Sequence, residues 1–357
     1  MNTFRDFLTS KKLLLLFLFS LLVISFASVF FVNFRSRSDA DEPTSEKVPT
    51  LNVLNWTSYI PSEVISDFET EYGVKVNYGT YSSNEELLAK VSSAKSGTYD
   101  LIFPSDYMVD LMSSRDLLET LDKSKLKNLD NLNPRFLSQS YDENNLVSLP
   151  FLLATSVILY DSEKISTPLT SYHDLLREDF RDNLVLLDDE RITIGSFLLA
   201  SGADLNSVET TALENSLAFY EKLKPNVKAF DSDSPKTFFI TGEVDAGIIW
   251  NAEALLAQTE RENLKIVYPS EGFALSMDNY CILKHAKNPD LAYLFIDYLL
   301  RDDVSQAIVD EYPYISPNRS VTSLPDSELE TILARGTYVK NVGNDIKKFD
   351  KLWAKYK

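Results

Sequence analysis

One cysteine and two histidines are all that the 357 residues offer in the usual thiol and imidazole chemistry. The cysteine, Cys281, sits inside the apolar run YCILKH. Alone it excludes a disulfide framework and reads as a buried structural thiol. His173 and His285 with one cysteine fall short of a common zinc site, and nothing reads HExxH. No GxGxxG, GxxxxGK[ST] or GxSxG occurs, so the dinucleotide, phosphate-loop and serine-hydrolase signatures are absent. No metal site and no cofactor is therefore expected. Positive charge is also short: 35 Lys and Arg stand against 53 Asp and Glu, a net charge of −18. The first 37 residues hold five basic residues against Asp6, so they carry +4 and the remainder carries −22. Such a body repels nucleic acid and draws in cations; on charge alone it is also simply a soluble acidic surface.

What is present begins with a long apolar run. Leu13 to Val32 is 20 residues without a charge. At ~1.5 Å per residue it spans roughly 30 Å, one bilayer core. Arg5, Lys11 and Lys12 precede it, which keeps the amino terminus cytoplasmic and places the rest outside. Residues 1–37 read as a membrane anchor or a signal segment. Ser25-Phe26-Ala27 resembles a cleavage site, while the apolar run continues past it, favouring an uncleaved anchor. Residues 38–50 read as a polar tether.

After Thr50 the pattern alternates between strand and helix periods, and no repeat of fixed period is visible. LNVLNW reads as a strand. Pro61 suits the first turn of a helix whose Val64, Ile65, Phe68 and Tyr72 share a face and which Gly73 ends. VKVNYGTY is the next strand. A Ser83/Glu86 capping box opens a helix closing at Gly97, and YDLIFPSDY is a strand running into a turn. This is the mark of a mostly parallel sheet with crossover helices, an α/β fold. NLVSLPFLLATSVILYDS, broken by Pro150, reads as a crossing to a second lobe. There NLVLLDD, helices from Glu190 to Ser201 and Ser207 to Leu223, VKAFDSDS, AGIIWNAEA and LKIVYPSEG form a second α/β set. ALSMDNYCILKH reads as a return crossing, followed by helices and a helical tail. The expected lobes are 51–155 plus 277–322 and 156–276 plus 323–357, a length more than one core usually holds. Two such lobes make a hinged clamp.

Polar and aromatic residues recur where strands end: NWTSY (Asn55 to Tyr59), PSDY (Pro104 to Tyr107), LDDE (Leu187 to Glu190), FDSDS (Phe230 to Ser234), IWN (Ile249 to Asn251) and SMDN (Ser276 to Asn279), with Tyr314 in YPYISPN. In open α/β sheets that edge is where ligands dock. Each signal alone has a bland reading: a lone Trp as core, Asp106 or Asp189 as a helix cap. Together, rings and carboxylates suit an organic cation with an apolar stem. A ring face attracts an ammonium by about 0.5–2 kcal/mol, and a carboxylate adds a charge-assisted hydrogen bond.

At these residues the sequence resembles the extracytoplasmic spermidine/putrescine-binding proteins of bacterial polyamine ABC transporters. The matching phrases, in order, include LNWTSYIP, YSSNEELLAKV, YDLIFPSDYMVD, LKPNVKAFDSDSP, GEVDAGIIWN, PSEGFALSMDN and YISPN, and the likeness runs from about Leu51 to Lys357. The resemblance implies a two-lobed, hinged periplasmic-binding-protein-like fold of type II, with mixed sheets flanked by helices. It also implies a substrate-binding role without catalysis, and an extracytoplasmic location. The implied partners are a polyamine, a permease and an ATPase; the body is expected to be monomeric and to bind no nucleic acid. The ligand-contacting residues it implies are Trp56, Thr57, Tyr59, Ser105, Tyr107, Asp189, Trp250, Asp278 and Tyr314, with Ser232 and Asp233 in a matching loop. Departures from the family pattern are Ser58 and Ile192 where carboxylates are common, Ser276 in place of a Trp, and Val339 in place of a polar residue. Fewer acids suit a dication such as putrescine. Two other readings stand beside this one: the same fold serving another organic cation or small solute, and a hydrolase using Asp188, Asp189 and Glu190.

Overall fold

The structure, a computed structural model, describes residues 48–321 and 324–357. Pro49–Lys357 form one compact unit. The expected apolar span and nearly all of the tether lie outside the described residues, among which no helix is long and apolar enough to cross a membrane.

The chain opens with β1 (Thr50–Trp56), α1 (Ser62–Tyr72), β2 (Lys75–Tyr81), α2 (Asn84–Ser93), β3 (Leu101–Ile102) and α3 (Asp106–Ser114). After three 3₁₀ turns come β4 (Leu149–Asp161), β5 (Leu184–Leu186), α4 (Glu190–Ala200), α5 (Thr210–Leu223), β6 (Val227–Phe230), α6 (Lys236–Ile240), β7 (Ala246–Trp250) and α7 (Asn251–Glu260). It closes with β8 (Leu264–Val267), β9 (Phe273–Ile282), α8 (Pro289–Leu299), α9 (Asp302–Glu311), α10 (Asp326–Arg335), β10 (Gly336–Tyr338) and α11 (Ile346–Tyr356).

The strands form one sheet in the order β2-β1-β3-β9-β4-β7-β5-β6, with β10 added on β9 and β8 on β4. Two parallel sets, β2-β1-β3 and β6-β5-β7, flank the antiparallel pair β4 and β9. β4 pairs with β9 through its first half and with β7 and β8 through its second. Both central strands are buried along their whole length, which is why they read as long apolar passages rather than alternating ones. Helices cover the sheet in two aromatic-rich packs. Phe68 of α1 lies 4.7 Å from Phe295 of α8. Tyr220 of α5 stacks 4.1 Å from Tyr356 of α11, with Phe197 of α4 beside them. Cys281 is buried in this core, as its surroundings predict.

Local chemistry explains most boundaries. Val64 and Phe68 are the buried face of α1, and Gly73 ends it in the left-handed region at φ 64°. Several expectations need correcting. Pro150 does not break β4; the register shifts between Pro150 and Leu152, an irregularity that tolerates the missing N–H. α2 ends at Ser93, before Gly97, whose positive φ serves the turn in which Thr98 N donates to Lys95 O. Only half of the capping box forms: Ser83 Oγ accepts from Glu86 N, but the Glu86 carboxylate takes the N–H of Ser82 instead. α5 starts at Thr210 rather than near Ser207. α3 went unforeseen, because its DYMVD sequence follows the β3 strand after only three residues.

Candidate functional site

The two parallel sets carry their chemistry at their carboxyl ends. β1 leads into Trp56–Tyr59 and β7 ends at Trp250, while β5 and β6 lead into Asp188–Glu190 and Phe230–Asp233. The turn after β1 is tight, with Ser58 at φ 56°. Trp56, Thr57, Tyr59, Asp189, Ser232, Asp233, Trp250 and Tyr314 line one chamber of about 40 Å³, together with Ser58, Ser82 and Glu253. Ser82, Asp189, Ser232 and Asp233 also line a vestibule of about 580 Å³, so the two spaces share walls. Tyr107 faces the vestibule, with Glu85, Asp188, Glu190, Asp231, Phe230 and Trp353.

Ser105 and Asp278 line neither space. They stand behind Tyr59, whose hydroxyl donates to Asp278 Oδ2 at 2.8 Å, while Ser105 Oγ donates to Oδ1 at 2.6 Å. Asn84 Nδ2 donates in turn to Ser105 Oγ. Tyr59 lies 4.7 Å from Tyr314 and 6.3 Å from Trp56, ring to ring. Trp56 is held by its indole N–H on Phe103 O. Tyr107 donates to Glu85 Oε1. Thus the eleven residues named from the sequence gather in one neighbourhood, nine on the walls of the two spaces and two in the layer behind.

Burial makes these carboxylates reluctant to ionise. Asp278, 2% exposed, is pushed up to about 7 by desolvation, against the opposing hydrogen bonds from Ser105 and Tyr59. Asp189 caps α4 by accepting from Ile192 N at 2.9 Å, so its bland reading also holds. It is only partly enclosed, yet desolvation raises it to about 6. Glu190 rises to about 8 through desolvation, then through the charges of Asp350, Glu85 and Asp189; its Oε1 is buried without a hydrogen-bond partner. Asp106 is the first residue of α3 rather than its cap, and burial raises it too. Arg191 also lines the vestibule, although it is nearly fully buried; it donates to Lys340 O and Asn206 Oδ1 and lies 4.5 Å from the Phe349 ring. The geometry therefore offers rings and acids converging on one space, and no group of three or more metal-binding side chains among the described residues.

Comparison with known proteins fits this arrangement. Residues 63–333 match the family model described as bacterial extracellular solute-binding protein. The chain belongs to that family. This solute-binding protein is 34% identical over 318 residues to the spermidine/putrescine-binding periplasmic protein of Salmonella typhimurium, covering 86% of its own length and 91% of the relative's. It is 30% identical to a putrescine-binding periplasmic protein of Escherichia coli, over 78% of this chain and 81% of that one. A crystal structure of the spermidine/putrescine ABC transporter substrate-binding protein of Streptococcus pneumoniae superposes with a TM-score of 0.73 at 31% identity, over 86% of this chain and 98% of the other. The α/β fold expected from the sequence is thereby shown, and so is its extracytoplasmic setting.

Besides Ser82, Arg191 and Trp353, two acidic wall residues escaped the sequence reading. Glu253 lines the chamber but lies in the first turn of α7, where AEA gives no turn signal; both its oxygens lie 2.8 Å from Lys236 Nζ. Glu85 opens α2 and read as one surface acid of the SNEE run. Of the departures, Ser58 faces the chamber, Ile192 and Val339 are core, and Ser276 is buried in β9.

Proposed function

We propose that the protein captures a linear polyamine between two lobes and delivers it to a membrane permease served by an ATPase, without chemistry of its own. The observation that carries this reading is the chamber itself. Trp56, Trp250 and Tyr314 surround a space that also holds Asp189, Asp233 and Glu253. Rings cover methylenes and attract ammonium, and the acids pair with it. Carboxylates raised toward neutrality in the absence of a cation are those that a bound ammonium restores to their charged form.

The lobes are 51–155 plus 277–322 and 156–276 plus 323–357, and β4 and β9 are the strands that cross between them. Residues 13–32 anchor the body outside the cytoplasm, and the body acts as a monomer. The charge count does not favour a dication alone: Glu85 and Glu190 in the vestibule offset the acids missing at 58 and 192, while Glu253 is already paired with Lys236 and Arg191 adds a positive charge to the vestibule wall. The chamber is far below the ~300 Å³ of ordinary small-molecule sites, so a ligand reaches into the vestibule or the lobes open around it.

The test is thermal melting of residues 45–357 against amines, sugars, amino acids and metals, followed by calorimetry. A rise with putrescine or spermidine and none with the other classes is expected. Stabilisation by a sugar or an anion in place of any amine refutes the reading.

A further inference from the structure

An ammonium of the chain itself already stands against three residues of the vestibule wall. Lys357 Nζ lies 2.6 Å from Asp188 Oδ1, 4.1 Å from the centroid of the Phe230 ring and 4.9 Å from that of Trp353. The two rings meet nearly edge to face, 84° apart at 5.5 Å, and so form two walls of a corner with the carboxylate as a third. Three separate elements supply the corner: Asp188 from the turn between β5 and α4, Phe230 from the end of β6, and Trp353 from α11. All three residues also line the vestibule, whose wall is continuous with the chamber through Asp189, Ser232 and Asp233.

Two aromatic faces and one carboxylate are the elements that recognise a primary ammonium. We infer that Asp188, Phe230 and Trp353 form an outer ammonium subsite, and that Lys357 is a tethered occupant which a long polyamine displaces. The inference rests on the polyamine reading of the chamber and extends it to ligand length. A diamine held in the chamber leaves Lys357 in place. A linear tetra-amine anchored in the chamber and running along the vestibule puts its far ammonium where Lys357 sits. Displacement costs little, because the Lys357 and Asp188 side chains are 37% and 47% exposed, and exposed ion pairs contribute about 0–1 kcal/mol. The tethered lysine thus sets a preference against longer ligands that its removal relaxes.

The experiment compares putrescine and spermine binding by calorimetry in the parent, Lys357→Met and Asp188→Asn. Lys357→Met is expected to tighten spermine binding about two- to fivefold, the factor that loss of an exposed competing pair gives. Asp188→Asn weakens spermine binding more than putrescine binding, and putrescine affinity stays unchanged in Lys357→Met. A second readout follows the Lys357 ε-methylene by NMR, assigned from the spectrum that Lys357→Met lacks. Its signal, shifted by the two rings, moves to the free-lysine position on adding spermine but not putrescine. If putrescine binds normally while spermine affinity and the Lys357 signal are indifferent to these changes, Lys357 only fastens α11 and the subsite is wrong. If the parent binds neither amine, the polyamine reading of the chamber fails first and takes the subsite with it.

Discussion

Tyr59 donates its phenolic hydrogen to Asp278 across 2.8 Å, linking the turn after β1 to the middle of β9, 219 residues away in sequence. The bond keeps the Tyr59 ring upright on the chamber wall and places a buried carboxylate directly behind it. Asp278→Asn removes the charge while keeping an acceptor for Tyr59. Its charge lies one side chain behind the wall and acts on an ammonium in the chamber through the field rather than by contact, so amine affinity is expected to fall about three- to tenfold. The melting temperature of the ligand-free protein holds steady or rises, because a buried charge has been removed. Calorimetry and melting on the same samples check both halves; unchanged affinity would show that Asp278 only positions Tyr59.

The raised carboxylates predict opposite pH trends for stability and for binding. Asp278 at about 7, Asp189 at about 6 and Glu190 at about 8 lie above the ordinary value of ~4. A group raised in the folded state holds its proton more tightly there. Its contribution is fully present below about pH 4 and is lost as pH rises through the folded values. The ligand-free protein therefore loses melting temperature between pH 5 and pH 8. Amine binding needs the carboxylates ionised, so affinity rises over the same range and binding at pH 7 releases protons. Calorimetry at pH 7 in two buffers of different ionisation enthalpy measures that release, and a net uptake of protons contradicts the assignment.

Lys236 and Glu253 test whether the chamber wall answers to an added amine. Glu253 is 5% exposed, and both its oxygens lie within reach of Lys236 Nζ. Lys236→Met leaves a buried carboxylate unpaired, a loss that reaches about 3–5 kcal/mol for fully buried pairs and less for this partly exposed lysine. The ligand-free variant melts lower than the parent, and putrescine raises its melting temperature by more than it raises the parent's. The double variant Lys236→Met/Glu253→Gln recovers the stability and loses the extra response. Equal responses in the parent and the single variant would place Glu253 away from the ligand.

The sequence made the alternation of elements and most strand-end residues legible, because both rest on local signals. Period, glycine and turn chemistry set β1, α1 and β2 almost to the residue. The strand ends Trp56, Asp189 and Trp250 stood out because polar or aromatic residues interrupted apolar runs. The layers of the site did not stand out. Ser105 and Asp278 read as equal to Tyr59, yet lie behind it, since which side chain reaches the cavity depends on a sheet pairing of residues 173 apart. Glu253 was hidden for a different reason: its contact with the chamber follows from the angle at which α7 leaves β7, three residues after Trp250, and no turn residue marks that angle. Lys357 read as one more residue of a helical tail, because its carboxylate partner Asp188 and one of its two rings, Phe230, come from distant segments, while only Trp353 lies on its own helix.

Gly247 carries the last prediction, which concerns how the sheet positions Trp250. The residue lies in β7 between β4 and β5, opposite Leu159 and Val185. A Cβ added there would sit 2.3 Å from the Val185 carbonyl oxygen and 2.7 Å from its Cγ1. The obstacle is backbone, so β5 or β7 must shift as a whole rather than one side chain turning aside. Overpacking of this kind costs about 1–3 kcal/mol or more. Gly247→Ala is therefore expected to lower the melting temperature and, because Trp250 ends the same strand three residues on, to weaken amine binding as well. Gly73→Ala is the comparison. It also faces a backbone penalty, at φ 64°, but an added Cβ there meets nothing within 4 Å. That variant loses stability by about 1 kcal/mol and keeps its affinity. Should Gly247→Ala lose stability and bind amines as the parent does, Trp250 is not held in place by the β5–β7 pairing.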